Sequence, residues 1–107
     1  MSPLEAATLA LEFQLEVLKE ARTPFKLKSA EKKHLEHRLI QQSDGKSIAE
    51  RSMNAYASEE WKRFSLELAK LEDRYEHEAL KFEVLKTDYQ TKYLMHKETE
   101  QQIKKYR

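Results

Sequence analysis

The segment Glu31–His37, EKKHLEH, places two imidazoles three residues apart and a carboxylate three residues before the first. On a helix that spacing puts the three groups on neighbouring turns of one face, and Glu-x-x-His is the pattern with which di-iron bundles hold their metals. Such bundles use the motif twice with two further carboxylates facing it, whereas here it occurs once. His77 and His96 stand far away without repeating the pattern, and a zinc site needs a third or fourth ligand that the sequence does not provide. The His34/His37 pair therefore reads as solvent-facing, and no metal site is expected. The second candidate, SDGKS over residues 43–47, sets Gly45 beside Lys46 and Ser47 but lacks the earlier glycine and the strand of a phosphate-cradling loop. It reads as a turn followed by a helix cap. Cysteine is absent and no serine is framed by glycines, so no nucleophile stands out. The chain is expected to be neither an enzyme nor a cofactor carrier.

The elements that would position these residues are helices. One glycine and two prolines in 107 residues, with 36% of residues charged, suit long solvated helices and not sheets or turn-rich folds. SPLE opens the first of them, with Ser2 as N-cap, Pro3 at the first helical position and Glu5 placed for a capping box. This helix runs to about Ala21; Leu4, Leu11, Leu15 and Leu18 form one face, which Leu9, Phe13 and Val17 widen toward a second neighbour. It is expected to be the most buried segment. Pro24 disfavours helical geometry at Thr23 and predicts a bend or a new helix beginning by Ser29. A single domain follows, with an arm over 3–42, a loop at 42–47, a short helix over 48–57 capped by Ser47, and a long helix over 59–107. Ser58 either caps that long helix or lies within a continuous one. Glu5, Glu12 and Glu16 interrupt the apolar N-terminus, and no run approaches the length of a bilayer crossing. A soluble, cytoplasmic protein is expected, without membrane contact.

A stripe runs along the long helix at heptad spacing. One set reads Trp61, Leu68, Tyr75, Phe82, Tyr89, His96 and Ile103, and its companion reads Phe64, Leu71, Glu78, Leu85, Lys92, Thr99 and Tyr106. A sustained seven-residue repeat keeps one stripe on a partner only through left-handed supercoiling, so coiled-coil packing is implied. The seam weakens beyond Tyr89, where Lys92 and Thr99 fall on it. At the helical rise, residues 59–107 would span about 73 Å and residues 3–42 about 60 Å. The expected fold is thus all-α: an elongated antiparallel helical hairpin, coiled-coil-like, with one long C-terminal helix packed against a broken N-terminal arm. Aromatic residues in the seam bury more area than two helices need, which predicts a homo-oligomer with Trp61, Phe64, Leu68, Leu71, Tyr75, Phe82, Leu85 and Tyr89 as interface.

Overall charge advertises no polyanionic partner, with 20 basic residues against 19 acidic. A local excess lies between Lys19 and Arg38, where seven cations face three acids, while residues 1–18 hold three acids and no base. Lys26, Lys28, Lys32, Lys33 and Arg38, with Phe25 between the cations, form a candidate nucleic-acid surface able to track a phosphate backbone.

The order of elements, with SIAERSMNAYASEEWKRFSLELAKLEDRYEHEALKFEVLK over residues 47–86 leading into a charged C-terminal helix, resembles small helical accessory proteins of phages and mobile elements. Some of these work in homologous recombination. The likeness implies a non-enzymatic, oligomeric protein that helps a recombinase or single-strand-binding protein on DNA, with single-stranded DNA as a secondary ligand. The alternative is a purely protein-directed helical module without DNA binding: an assembly chaperone, a structural coiled coil or an inhibitor of another complex.

Overall fold

The computed structural model describes residues 1–106 as three helices: α1 (Pro3–Gln42), α2 (Ile48–Tyr56) and α3 (Glu59–Lys105). Arg107, the last residue of the expected 59–107 helix, lies outside the described residues. No strand occurs among the described residues, and no helix is long and apolar enough to cross a membrane. The all-α class expected from the sequence is the observed one.

Local chemistry sets the helix ends. The Glu5 N–H donates to Ser2 Oγ at 3.1 Å and opens α1. Ser43 Oγ donates back to the Leu39 carbonyl as α1 ends. Gly45 then takes φ +155°, and a Cβ there would stand 2.9 Å from the Arg51 nitrogen, so only glycine fits this turn. Ser47 caps α2 by accepting from the Glu50 N–H, while the Glu50 carboxylate reaches back to the Lys46 N–H at 3.0 Å. Ser58 ends one helix and starts the next: its hydroxyl donates to the Ala55 carbonyl and accepts from the Trp61 N–H. Helices α2 and α3 are therefore separate.

The expected break at Pro24 does not occur. Proline removes one main-chain bond and its ring crowds the preceding turn, at a cost of about 3 kcal/mol inside a helix. Yet α1 continues through it. Ala21, on one side, has no exposed surface, and Phe25, on the other, lies with its ring centroid 5.5 Å from that of Tyr75. Packing on both flanks holds the backbone helical where local preference alone would release it.

The chain divides into two compact units. The first comprises Met1–Glu20 with α3 from Glu76 onward. In it α1 and α3 run antiparallel, since Leu4 lies by Met95 and Thr99 while Gln14 lies by Glu78. Leu4, Ala7, Leu11, Gln14 and Leu18 are buried or half-buried in alternating steps of three and four, and Glu78, Phe82, Leu85, Tyr89 and Lys92 answer them on α3. Beyond Lys92 every described residue of α3 is exposed. The second unit, Ala21–Tyr75, holds the rest of α1, all of α2 and the start of α3. Here too the pairing is antiparallel, from Phe25 on Tyr75 through Lys28 on Glu67 to Arg38 on Glu60. Leu39, Ala55 and Phe64 are its most covered apolar residues besides Ala21. Tyr56 of α2 sets its ring 5.3 Å from Trp61 and donates its hydroxyl to Glu36 at 2.5 Å, which ties α2 to both longer helices.

Candidate functional site

All eight residues expected at an interface lie on one face of α3, with Phe64 buried and the other seven half-buried. In the second unit this face meets α1 of the same chain through Tyr75 on Phe25 and Phe64 under Lys28. In the first unit Leu85 and Gln14 line one groove. The seam is occupied inside the chain. Glu78, a gap in the sequence pattern, is part of it: Gln14 Nε2 donates to Glu78 Oε2 at 2.6 Å and to the Glu78 carbonyl at 3.0 Å.

The five candidate nucleic-acid residues separate into two groups. Lys26, Lys32 and Lys33 are exposed on α1. Lys28 is half-buried in the seam, its Nζ 2.8 Å from Glu67 and 4.9 Å over the centroid of the Phe64 ring. Arg38 bonds Glu60 at 2.5 Å. Lys28 thus stands apart from the three exposed lysines, because α1 continues through Pro24 and the seven-residue spacing from Ala21 carries Lys28 onto α3. The hydrogen bond from Lys28, and then its charge, hold the Glu67 carboxyl below the usual glutamate range. The hydrogen bond to Glu36 pushes the Tyr56 hydroxyl up.

His34 and His37 are both exposed, with His37 Nε2 3.1 Å from Gln41 Nε2. His34 borders an open cleft of about 570 Å³ whose walls mix Lys28, Arg38 and Arg63 with Glu31, Glu60 and Glu67. Cations and acids alternate there, two pairs are already closed as ion pairs, and no net charge remains to select a ligand. Among the described residues no three His, Cys, Asp or Glu side chains come together as metal ligands.

An exposed apolar surface remains, of which the sequence pointed to Leu9 and Phe13 on α1 but not to Leu80 and Val84 on α3. A groove of about 340 Å³ in the first unit is lined by Gln14, His77, Leu80, Lys81, Val84 and Leu85. Leu80 and Val84 are 65% and 62% exposed, and Phe13 on α1 is 72% exposed. The first helix is not the most buried segment that the sequence predicts: over residues 3–20 only Ala7 and Gln14 are buried, and the second neighbour expected for its broad face is not supplied within the chain, which leaves Leu9, Phe13 and Leu15 exposed. Their signal in the sequence is a second apolar spacing beside the seam, four residues from Leu9 to Phe13 and four from Leu80 to Val84.

No protein-family model, curated protein or solved structure matches the chain. The functional reading rests on these surfaces.

Proposed function

We propose that this is a non-enzymatic helical interaction protein that works by presenting apolar helix faces to protein partners, with self-association as one such contact. One observation carries the reading: Phe13, Leu80 and Val84 stand 72%, 65% and 62% exposed on a unit whose seam is already filled by α1 and α3. Leaving large apolar groups in water forgoes roughly 1.5–3 kcal/mol for each one that could be fully covered, so a covering partner is the natural complement. Affinity purification from the native source tests this, comparing the parent with a Phe13→Ser/Leu80→Ser chain of equal helicity. The variant should lose specific partners; recovery of the same proteins by both chains would overturn the reading.

A second reading is favoured by Lys26, Lys32 and Lys33, which remain exposed together on α1. In it the protein is an accessory to DNA recombination, with these lysines touching phosphates while protein contacts bring a recombinase or single-strand-binding protein. Titration of a labelled single-stranded oligonucleotide across a salt series separates the readings, because phosphate contacts make affinity fall steeply with salt.

A further inference from the structure

We propose that Arg22, Lys26 and Lys33 form one phosphate-tracking stripe on an exposed side of α1, along which the backbone of a single-stranded nucleic acid lies without its bases being read. The proposal rests on the DNA-linked reading above and narrows it. It brings in Arg22, leaves out Lys32 and fixes the contacts at three.

Helical register puts the three cations in line. Steps of four and seven residues separate Arg22, Lys26 and Lys33, with Ser29 between the lysines, and such steps keep to one face of a helix. Because α1 is continuous through Pro24, no break turns Arg22 away from the lysines. All four residues are exposed, and from Arg22 to Lys33 the stripe runs about 16 Å along the axis. Lys32 lies about 100° round the helix from Lys33. It stands midway between Phe25 and Leu39 at the seven-residue spacing of the covered face, and so belongs to another side.

The charge of the stripe is not neutralised inside the chain. Lys28 pairs with Glu67 and Arg38 with Glu60, whereas Arg22, Lys26 and Lys33 take part in no ion pair among the described residues. Glu20 and Glu31, the other acids of this stretch, fall on the opposite side of α1, where Glu31 lines the cleft with Lys28. Glu36, three residues beyond Lys33, is the nearest acid by helical spacing, and it accepts the Tyr56 hydroxyl.

The neighbours of the cations select the occupant. Between Arg22 and Lys33 this side carries Ser29 and Ala30 and no large apolar group, so a protein helix or a membrane surface would find no anchor there. A phosphate backbone requires no anchor, because its binding is driven by the counterions that cations displace. Phe25, the one Phe, Tyr or Trp of residues 22–38, packs on Tyr75, which leaves no ring of that kind to stack on a base. The intervals along the axis are unequal, about 6 Å and then about 10 Å. A flexible single strand can follow them, whereas a duplex holds its phosphates in fixed positions.

Fluorescence anisotropy of a labelled oligothymidylate across a salt series tests the proposal, with helicity followed by circular dichroism. Three contacts to a single strand give a log–log salt slope of about −2.1, an affinity loss of about twentyfold between about 50 and 200 mM salt. Changing Arg22, Lys26 and Lys33 together to Gln should remove most of that slope at unchanged helicity. Lys32→Gln/Lys46→Gln/Lys70→Gln takes the same charge from exposed positions off the stripe and should keep the parent's slope. A parent that does not bind would overturn both the stripe and the DNA-linked reading. A parent that binds while the stripe variant keeps its affinity and slope, or while the control variant loses as much, would overturn the stripe alone. Tighter binding to a duplex of the same length at equal salt would overturn the single-strand assignment.

Discussion

Gln14 and Glu78, sixty-four residues apart, meet in the seam between α1 and α3, where one amide nitrogen donates both to the carboxylate and to the main-chain carbonyl of the same residue. Gln14 is only 6% exposed and the Glu78 side chain 14%. Covered polar pairs of this kind add little net stability but fix which residues face each other, because any slip strands a donor or a charge away from water. Gln14→Ala should therefore destabilise the fold by about 1–3 kcal/mol in urea unfolding. Gln14→Leu together with Glu78→Leu should recover that loss or exceed the parent. A double variant weaker than the single one would show that the pair contributes stability outright.

Pro24 offers a test of how far packing overrides local preference. Since α1 is helical on both sides of it, Pro24→Ala restores a main-chain donor and relieves crowding without moving a seam residue. Stability should rise, by up to about 3 kcal/mol. An unchanged or lower urea midpoint would mean that the missing hydrogen bond is compensated in the native helix.

The Lys28–Glu67 pair makes a pH prediction. Lys28 lowers the carboxyl of Glu67 in the folded state, so the unfolded chain binds the proton more readily. The pair's contribution is fully present above the ordinary glutamate pKa of about 4.3 and disappears as pH falls through the lowered folded value. Glu67→Gln should flatten that part of the acid limb and leave the slope between pH 6 and 8 unchanged. Melting temperatures measured against pH for both chains check it, and identical acid limbs would exclude the pair.

The exposed lysines separate structure from binding. Changing Lys26, Lys32 and Lys33 to Gln should leave the melting temperature within error, because all three are exposed. Lys28→Gln should lower it, since this side chain loses both Glu67 and the face of Phe64. If the DNA-linked reading holds, the triple change also weakens single-stranded DNA binding and reduces its salt slope by about one unit for each phosphate contact removed. Equal affinity and equal slope in the two chains would remove these lysines from any DNA contact.

The sequence by itself determined what depends on near neighbours. Ser2, Ser47 and Ser58 mark helix starts because a hydroxyl reaches an N–H three residues on, and Gly45 marks the turn because its φ excludes a side chain. The heptad spacing of α3 was legible from Trp61 to Tyr89, since large residues at a fixed period reveal a covered face without saying what covers it. Tertiary structure decided the rest. It made α1 the cover, and did so through positions that carry little sequence signal: Ala7, Gln14, Ala21 and Lys28, one every seventh residue, are small or polar and look like gaps in an apolar pattern. They are covered because bulky residues on α3, such as Phe64 against Lys28, fill the space beside them. It also carried α1 through Pro24 and left Phe13 in water. Each outcome depends on the register between segments distant in sequence, and that register is set by contacts such as Gln14 on Glu78, which no local preference encodes.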